Sequence, residues 1–272
     1  MKGGTKMPQT RFIAAAIAGY GAIAAWLPAQ GLKPQTAQEY ESYVQSAESR
    51  MAARKTFLAA DASPAQIQDL VRGAKIVTIP GNGSNPHKIA GAMVYDWIGT
   101  VFIPGATVER TVRMLQDYDH RAEYFRDVIA ASKLMCRAGE DRFGFTMRLK
   151  EPAVLDVESD VTWERVDATH WRCRSYSRKV QEIGKQHGYL LRLNSYWRFA
   201  GTEKGVFVEG ETVTLSGEFG SLMRTLGSLA GINPEKSLKK SLESIRETLG
   251  ARSEFPAPPS GMPECESLQS AR

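Results

Sequence analysis

The chain has 272 residues, enough for one large domain or two small ones with a sizeable core. Its hydrophobic content of 42% and charged content of 24% are ordinary for a globular protein. The formal charge of +5 gives no case for nucleic acid: Lys2, Lys6 and Arg11 sit in the first 29 residues, which hold no acid, and no dense Lys/Arg stripe remains in the rest.

Residues 1–29 read as an export signal. Lys2, Lys6 and Arg11 make a positive start, 12–27 is an Ala/Ile-rich apolar run, and Leu27-Pro28-Ala29 ends in a small residue suited to cleavage before Gln30. The alternative is an uncleaved membrane anchor through 12–29, since that run approaches the roughly 20 residues that span a bilayer. The expected location is periplasmic or extracellular. Residues 30–88 are expected to be an N-terminal helical extension and linker. Within them 36–60 is helix-prone, with Tyr40, Tyr43, Val44, Ala47 and Met51 on one apolar face. Ser63-Pro64 is an N-cap followed by proline at the first helical position, so a second helix runs over 64–71 and stops at Gly73. A β-branched strand over 75–79 precedes a Gly/Asn/Pro loop at 80–88.

From Ile89 the hydrophobic period becomes two. Met93, Tyr95, Trp97, Val101 and Ile103 share one face of a strand that Pro104-Gly105 ends. A helix over 106–118 carries Val108, Val112 and Leu115, and 119–125 is a second helical turn. Strands follow at 127–136, 142–150, 155–165, 171–182, 189–199 and 206–215, with an irregular stretch at 152–156 expected to hold a bulge. Apolar and charged residues alternate in most of them, which predicts an antiparallel sheet with one buried and one wet face. An acidic strand beside a basic one predicts cross-strand pairs of about 0.2–1 kcal/mol each. Asn233-Pro234 caps a last helix with Leu238, Leu242, Ile245 and Leu249 on one face, and Gly250 ends it. The glycine-containing stretch 217–231 is a candidate gate. Residues 251–272 are expected to be a disordered tail with no means to pack.

The order strand, two short helices, antiparallel strands, long helix resembles the helix-grip fold of the START-like (SRPBCC) superfamily over residues 89–250. The strings Asp96-Trp97-Ile98-Gly99, Phe102-Ile103-Pro104-Gly105-Ala106-Thr107, Asp117-Tyr118-Asp119 and Arg192-Leu193-Asn194-Ser195-Tyr196-Trp197-Arg198-Phe199 are similar to an uncharacterised bacterial START-like, polyketide-cyclase-like family. The resemblance implies an α+β fold. A curved antiparallel sheet of about seven strands would wrap a long C-terminal helix and enclose a hydrophobic cavity, with extra N-terminal helices outside. It implies no single activity, because the superfamily hosts carriers, enzymes and regulators.

Catalytic signals are few. His87, His120, His170 and His187 lie in loops or polar turns without metal-ligand spacing. The run Asp117-Tyr118-Asp119-His120 reads either as an acid–base cluster or, more simply, as acids at a helix start. No Gly-x-Ser-x-Gly elbow is present, and Gly81-Asn82-Gly83-Ser84 lacks the Lys-Ser/Thr of a phosphate loop. No metal or cofactor is expected. With three cysteines at least one stays unpaired within the chain; Cys136 and Cys173 are expected in the core rather than in a disulfide, and Cys265 as a free thiol. The remaining signal is aromatic. Tyr95, Trp97, Phe143, Phe145, Met147, Leu191, Trp197 and Phe199 are the expected apolar ligand-binding residues, with Arg148, Glu209 or Glu211 orienting a polar head. Glu209 and Glu211 stay open between the cavity and outward ion pairs with Arg192 and Arg198.

The expected function is binding of a hydrophobic small molecule (lipid, isoprenoid or quinone) without catalysis, with transient membrane contact. One alternative is a cyclase- or aromatase-type enzyme using the same cavity. The other is a cell-envelope module that binds a partner through the helix at 36–60.

Overall fold

The computed structural model describes residues 32–73, 75–151, 153–184, 187–218 and 233–265. The expected export signal and nearly all of the candidate gate lie outside these residues. No described helix is long and apolar enough to cross a membrane.

Helix α1 (Pro34–Ala53), a 3-10 turn (Ala60–Ala62) and α2 (Pro64–Gly73) precede the sheet. Short strands β1 (Val77–Pro80) and β2 (His87–Ile89) flank the long β3 (Ala92–Pro104). Then come α3 (Val108–Gln116), a 3-10 turn (Tyr118–His120) and the single turn α4 (Arg121–Tyr124). The meander β4 (Ile129–Ala138), β5 (Arg142–Leu149), β6 (Leu155–Arg165), β7 (His170–Glu182), β8 (Arg192–Thr202) and β9 (Gly205–Gly217) leads to α5 (Pro234–Ala251). Helices start where the sequence supplies caps: Thr107 accepts from Arg110 N–H, and Asn233 accepts from Lys236 N–H at 3.0 Å.

The nine strands form one antiparallel sheet in the order β1-β3-β9-β8-β7-β6-β5-β4, with β2 added beside β3. This is the α+β helix-grip arrangement; the strand expected at 75–79 joins the sheet as β1, and the short β2 forms where a loop was expected. The inner face carries the main core. Val101, Ile103, Phe143, Trp163, Phe199 and Val208 pack there with Leu238, Leu242, Ile245 and Leu249 of α5. Two glycines set how closely the layers meet. Gly99 of β3 pairs with Gly210 of β9. A Cβ on Gly99 would lie 2.7 Å from Leu242 Cδ1, and one on Gly210 would lie 2.7 Å from the Trp197 ring. Their bare backbone lets α5 and the Trp197 indole lie flat on the sheet.

Helix α1 packs on the outer face. Tyr40, Tyr43, Val44, Ala47 and Met51 are buried against Ile89, Val94, Tyr196, Val213 and Leu215. The face read from helical spacing is thus the face that docks. The rest of the outer surface, over β5 to β7, is wet and carries the expected ladder of pairs, including Arg148–Asp156, Arg172–Glu164 and Arg178–Asp160.

Three readings need correction. The strand expected from 189 starts at Arg192, because a bulge between Glu158 and Ser159 shifts the β6–β7 register and turns Glu182 inward. The buried Glu182 carboxylate then accepts the N–H groups of His187 and Gly188 and holds that segment off the ladder. Cys136 and Cys265 form a disulfide, and Cys173 is the buried free cysteine. The stretch after α5, expected to be unable to pack, buries Phe255 edge-on against Tyr124. It then pairs with β4 through Arg137 N–H to Pro263 O (2.9 Å), covering an edge that would otherwise be open to other chains.

Candidate functional site

A cavity of about 200 Å³ lies between the inner face of the sheet and the first turns of α5. A water needs roughly 10–15 Å³ by the same measure, so the space exceeds anything needed for a bridging solvent molecule. Three groups of elements wall it. Strands β5 to β9 supply the floor, the opening turns of α5 supply Leu238, Ser237 and Ser241, and the α3–α4–β4 corner supplies Leu115, Arg121, Phe125 and Ile129. The surface is mostly apolar, as expected of a small-molecule site.

Of the residues expected to bind ligand, Phe145, Met147 and Trp197 line this cavity. Phe143 and Phe199 are fully buried beside it in the core, Phe199 stacked on Trp163 at 5.8 Å. Trp97 packs against the same core, and Tyr95 stands opposite Thr214 on β3, outside the lining. Leu191 packs with the α1 cluster.

The three expected polar anchors are elsewhere. Arg148 is exposed on the outer face and grips Asp156 through Nε (2.7 Å) and Nη2 (2.8 Å). Glu209 and Glu211 are 2% and 3% exposed, yet they lie under α1. Arg54 Nη1 donates to Glu209 at 2.7 Å, and Arg54 Nη2 donates to Glu211 at 3.4 Å. Arg50 donates to Glu211 and, at 2.9 Å, to Asp96. Thr100 and the Ala59 N–H also donate to Glu209. The partners are therefore α1 arginines rather than Arg192 and Arg198; Arg198 instead donates to the carbonyls of Met51 and Phe57. Burial pushes both Asp96 and Glu211 up, Glu211 to about 8, against the pull of the two arginines.

What the cavity does contain was not foreseen. Ser175, Ser195 and Thr212 are direct cross-strand neighbours on β7, β8 and β9, so three hydroxyls form a row across the floor. Small hydroxyl residues at inward positions of otherwise apolar alternation were the available signal. The thiol of Cys173 is also in the wall, pushed up to about 12 by burial and so protonated at neutral pH. The cation is Arg121, on the one-turn helix α4, where no periodicity announces a facing direction.

The Asp117–His120 pair is real but sits apart from this lining. His120 Nδ1 lies 2.7 Å from the buried Asp117 carboxylate, which also accepts the Tyr124 hydroxyl. The hydrogen bond to Asp117 raises the His120 pKa. Among the described residues no group of His, Cys, Asp and Glu is arranged to hold a metal ion.

No family model and no curated protein matches the chain. Solved structures do. A STAR-related lipid transfer protein from Xanthomonas axonopodis matches at 17% identity and TM-score 0.44, covering 61% of this chain and 98% of that one. The Zhui aromatase/cyclase from Streptomyces sp. R1128 matches at 10% identity and TM-score 0.45, covering 58% and 95%. Human STARD10 matches at 10% identity and TM-score 0.40, covering 74% and 86%. A START superfamily protein from Mycobacterium smegmatis also matches, at 10% identity and TM-score 0.40, covering 58% and 99%.

Proposed function

We propose that the protein is an exported START-like carrier that holds a hydrophobic small molecule, such as a lipid, isoprenoid or quinone, in the cavity under α5 without acting on it. The observation that carries this reading is the mostly apolar cavity itself. Apolar transfer at roughly 25 cal/mol per Å² of surface removed from water would supply the driving force. A cyclase-type reading asks for a carboxylic acid beside the ligand; Glu209 and Glu211 face the arginines of α1 instead, and Glu151 in the cavity wall is exposed and paired with Lys240. A partner-binding role for α1 asks for an open apolar face, and that face is buried on the sheet. Export is supported by the Cys136–Cys265 disulfide, which suits an oxidising compartment.

The test is native mass spectrometry of the protein produced with its own N-terminal segment, followed by extraction of what is bound. A stoichiometric hydrophobic adduct is expected. Trp197→Ala should fold, by circular dichroism, yet hold that adduct at least about tenfold more weakly, since it removes one of the two indoles on the floor, the less buried of them. An empty protein that gains no thermal stability from a panel of lipids and quinones would end this reading.

A further inference from the structure

Arg121 poses a problem that the carrier reading does not solve. A guanidinium has five N–H donors. Among the described residues one hydrogen bond is made, from Nη2 to the Leu115 carbonyl oxygen at 2.6 Å. The Nε–H is buried without a partner. The acid nearest in influence, Asp117, is committed to His120 and Tyr124 and acts on Arg121 only at longer range. The group is nevertheless held firmly. It lies 4.3 Å over the Tyr118 ring and 4.7 Å over Phe145, and Tyr118 is itself fixed by a 2.8 Å hydrogen bond from Trp163 Nε1. Arg121 is part-buried in the cavity wall, and burial pulls its pKa below the ordinary guanidinium value. Arginine remains charged in such surroundings. A charge taken out of water without a counter-ion is costly, and a cation preset in an apolar wall lowers the cost of binding the group that completes it.

We infer that the ligand of this cavity carries an oxyanion, a carboxylate or a phosphate monoester, on an apolar body, and that Arg121 pairs with that head. The inference rests on the carrier reading and sharpens it: the site selects an acid over a neutral lipid of the same length. The head sits at the α3–α4–β4 corner, beside Phe145, and the body runs along the sheet floor past Trp197. Arg121 is thus a specificity residue.

The experiment is displacement of Nile red, a neutral apolar dye, by three compounds with the same sixteen-carbon chain: palmitic acid, hexadecyl phosphate and hexadecanol. Wild type should bind Nile red, and at least one of the two acids should displace it about tenfold or more better than the alcohol. Whichever acid wins identifies the head group. Arg121→Gln should keep Nile red binding while the acid preference shrinks to within about twofold; Arg121→Lys, which keeps the charge, should retain part of it. A purely structural role for Arg121 would move melting temperature and leave head-group ranking alone. Nile red binding with no acid preference in wild type, or a preference that survives in Arg121→Gln, would overturn the inference and leave the carrier standing. Failure of wild type to bind Nile red or any of the three compounds would remove both. If Arg121→Gln does not fold, the wild-type ranking and Arg121→Lys decide.

Discussion

The sheet separates two sets of part-buried arginine that are treated in opposite ways. On the outer side Arg50 and Arg54 reach Asp96, Glu209 and Glu211; Asp96 gains a further donor in Tyr43, and Glu209 gains Thr100 and the Ala59 N–H. On the inner side Arg121 has two aromatic rings, one carbonyl and open space. Both sites bury charge. In the first the chain supplies carboxylates to both arginines and so fastens α1 to the sheet; in the second no carboxylate among the described residues pairs with the arginine at the cavity wall. Burial of a charge therefore says little about function until its partners are counted.

The contrast breaks most sharply at Arg54. Arg54→Ala removes the guanidinium that Glu209 and Glu211 share, strands the Glu209 carboxylate without a counter-ion and leaves Glu211 with Arg50 alone. The expected cost is about 3–5 kcal/mol in denaturant unfolding. Ligand affinity of the folded fraction should be unchanged, because the cluster lies on the opposite face from the cavity. Wild-type stability would mean that the outer cluster is no latch.

A smaller effect follows from Glu211. Its pKa is about 8 in the folded protein against an ordinary 4.5. Between those values the folded protein keeps a proton that the unfolded chain releases, so stability falls as pH rises from about 4.5 to 8. Asp96 shares that proton, and the change across the window is on the order of a few kcal/mol. Thermal melts at three pH values across that window should show a shallower slope in Glu211→Gln than in wild type; parallel slopes would place the proton elsewhere. The smallest effect belongs to Arg148. Its pair with Asp156 is exposed, so Arg148→Ala should cost no more than about 1 kcal/mol and leave Nile red affinity untouched. A large loss of binding would return Arg148 to the site.

The sequence was legible where one physical rule dominated. Strands β5 to β7 alternate apolar and charged residues because one face is wet, and Phe145 and Met147 could be aimed inward from that pattern alone. Strands β3 and β9 are buried on both sides, by α5 within and α1 without. Alternation there has no wet face to refer to, which is why Glu209 and Glu211 could not be assigned. Arg121 was invisible for another reason: a helix of four residues has no period, and its direction depends on how α3 and β4 meet. The partner of Cys136 lies 129 residues away in sequence, a distance that no local pattern encodes.

That separation also fixes an order of events during synthesis. The bridge cannot close until β5 through β9 and α5 have all emerged, because Cys265 follows every one of them. A chain emerging N-terminus first, whether from the ribosome or across a membrane, exposes Cys136 as a lone thiol while the sheet assembles and offers it a partner only when the grip is complete. The covalent link thus acts as a late seal, tying the strap that carries Phe255 across an edge strand already in place. Its closure reports a finished domain, and a Cys136 thiol still reactive marks one caught midway.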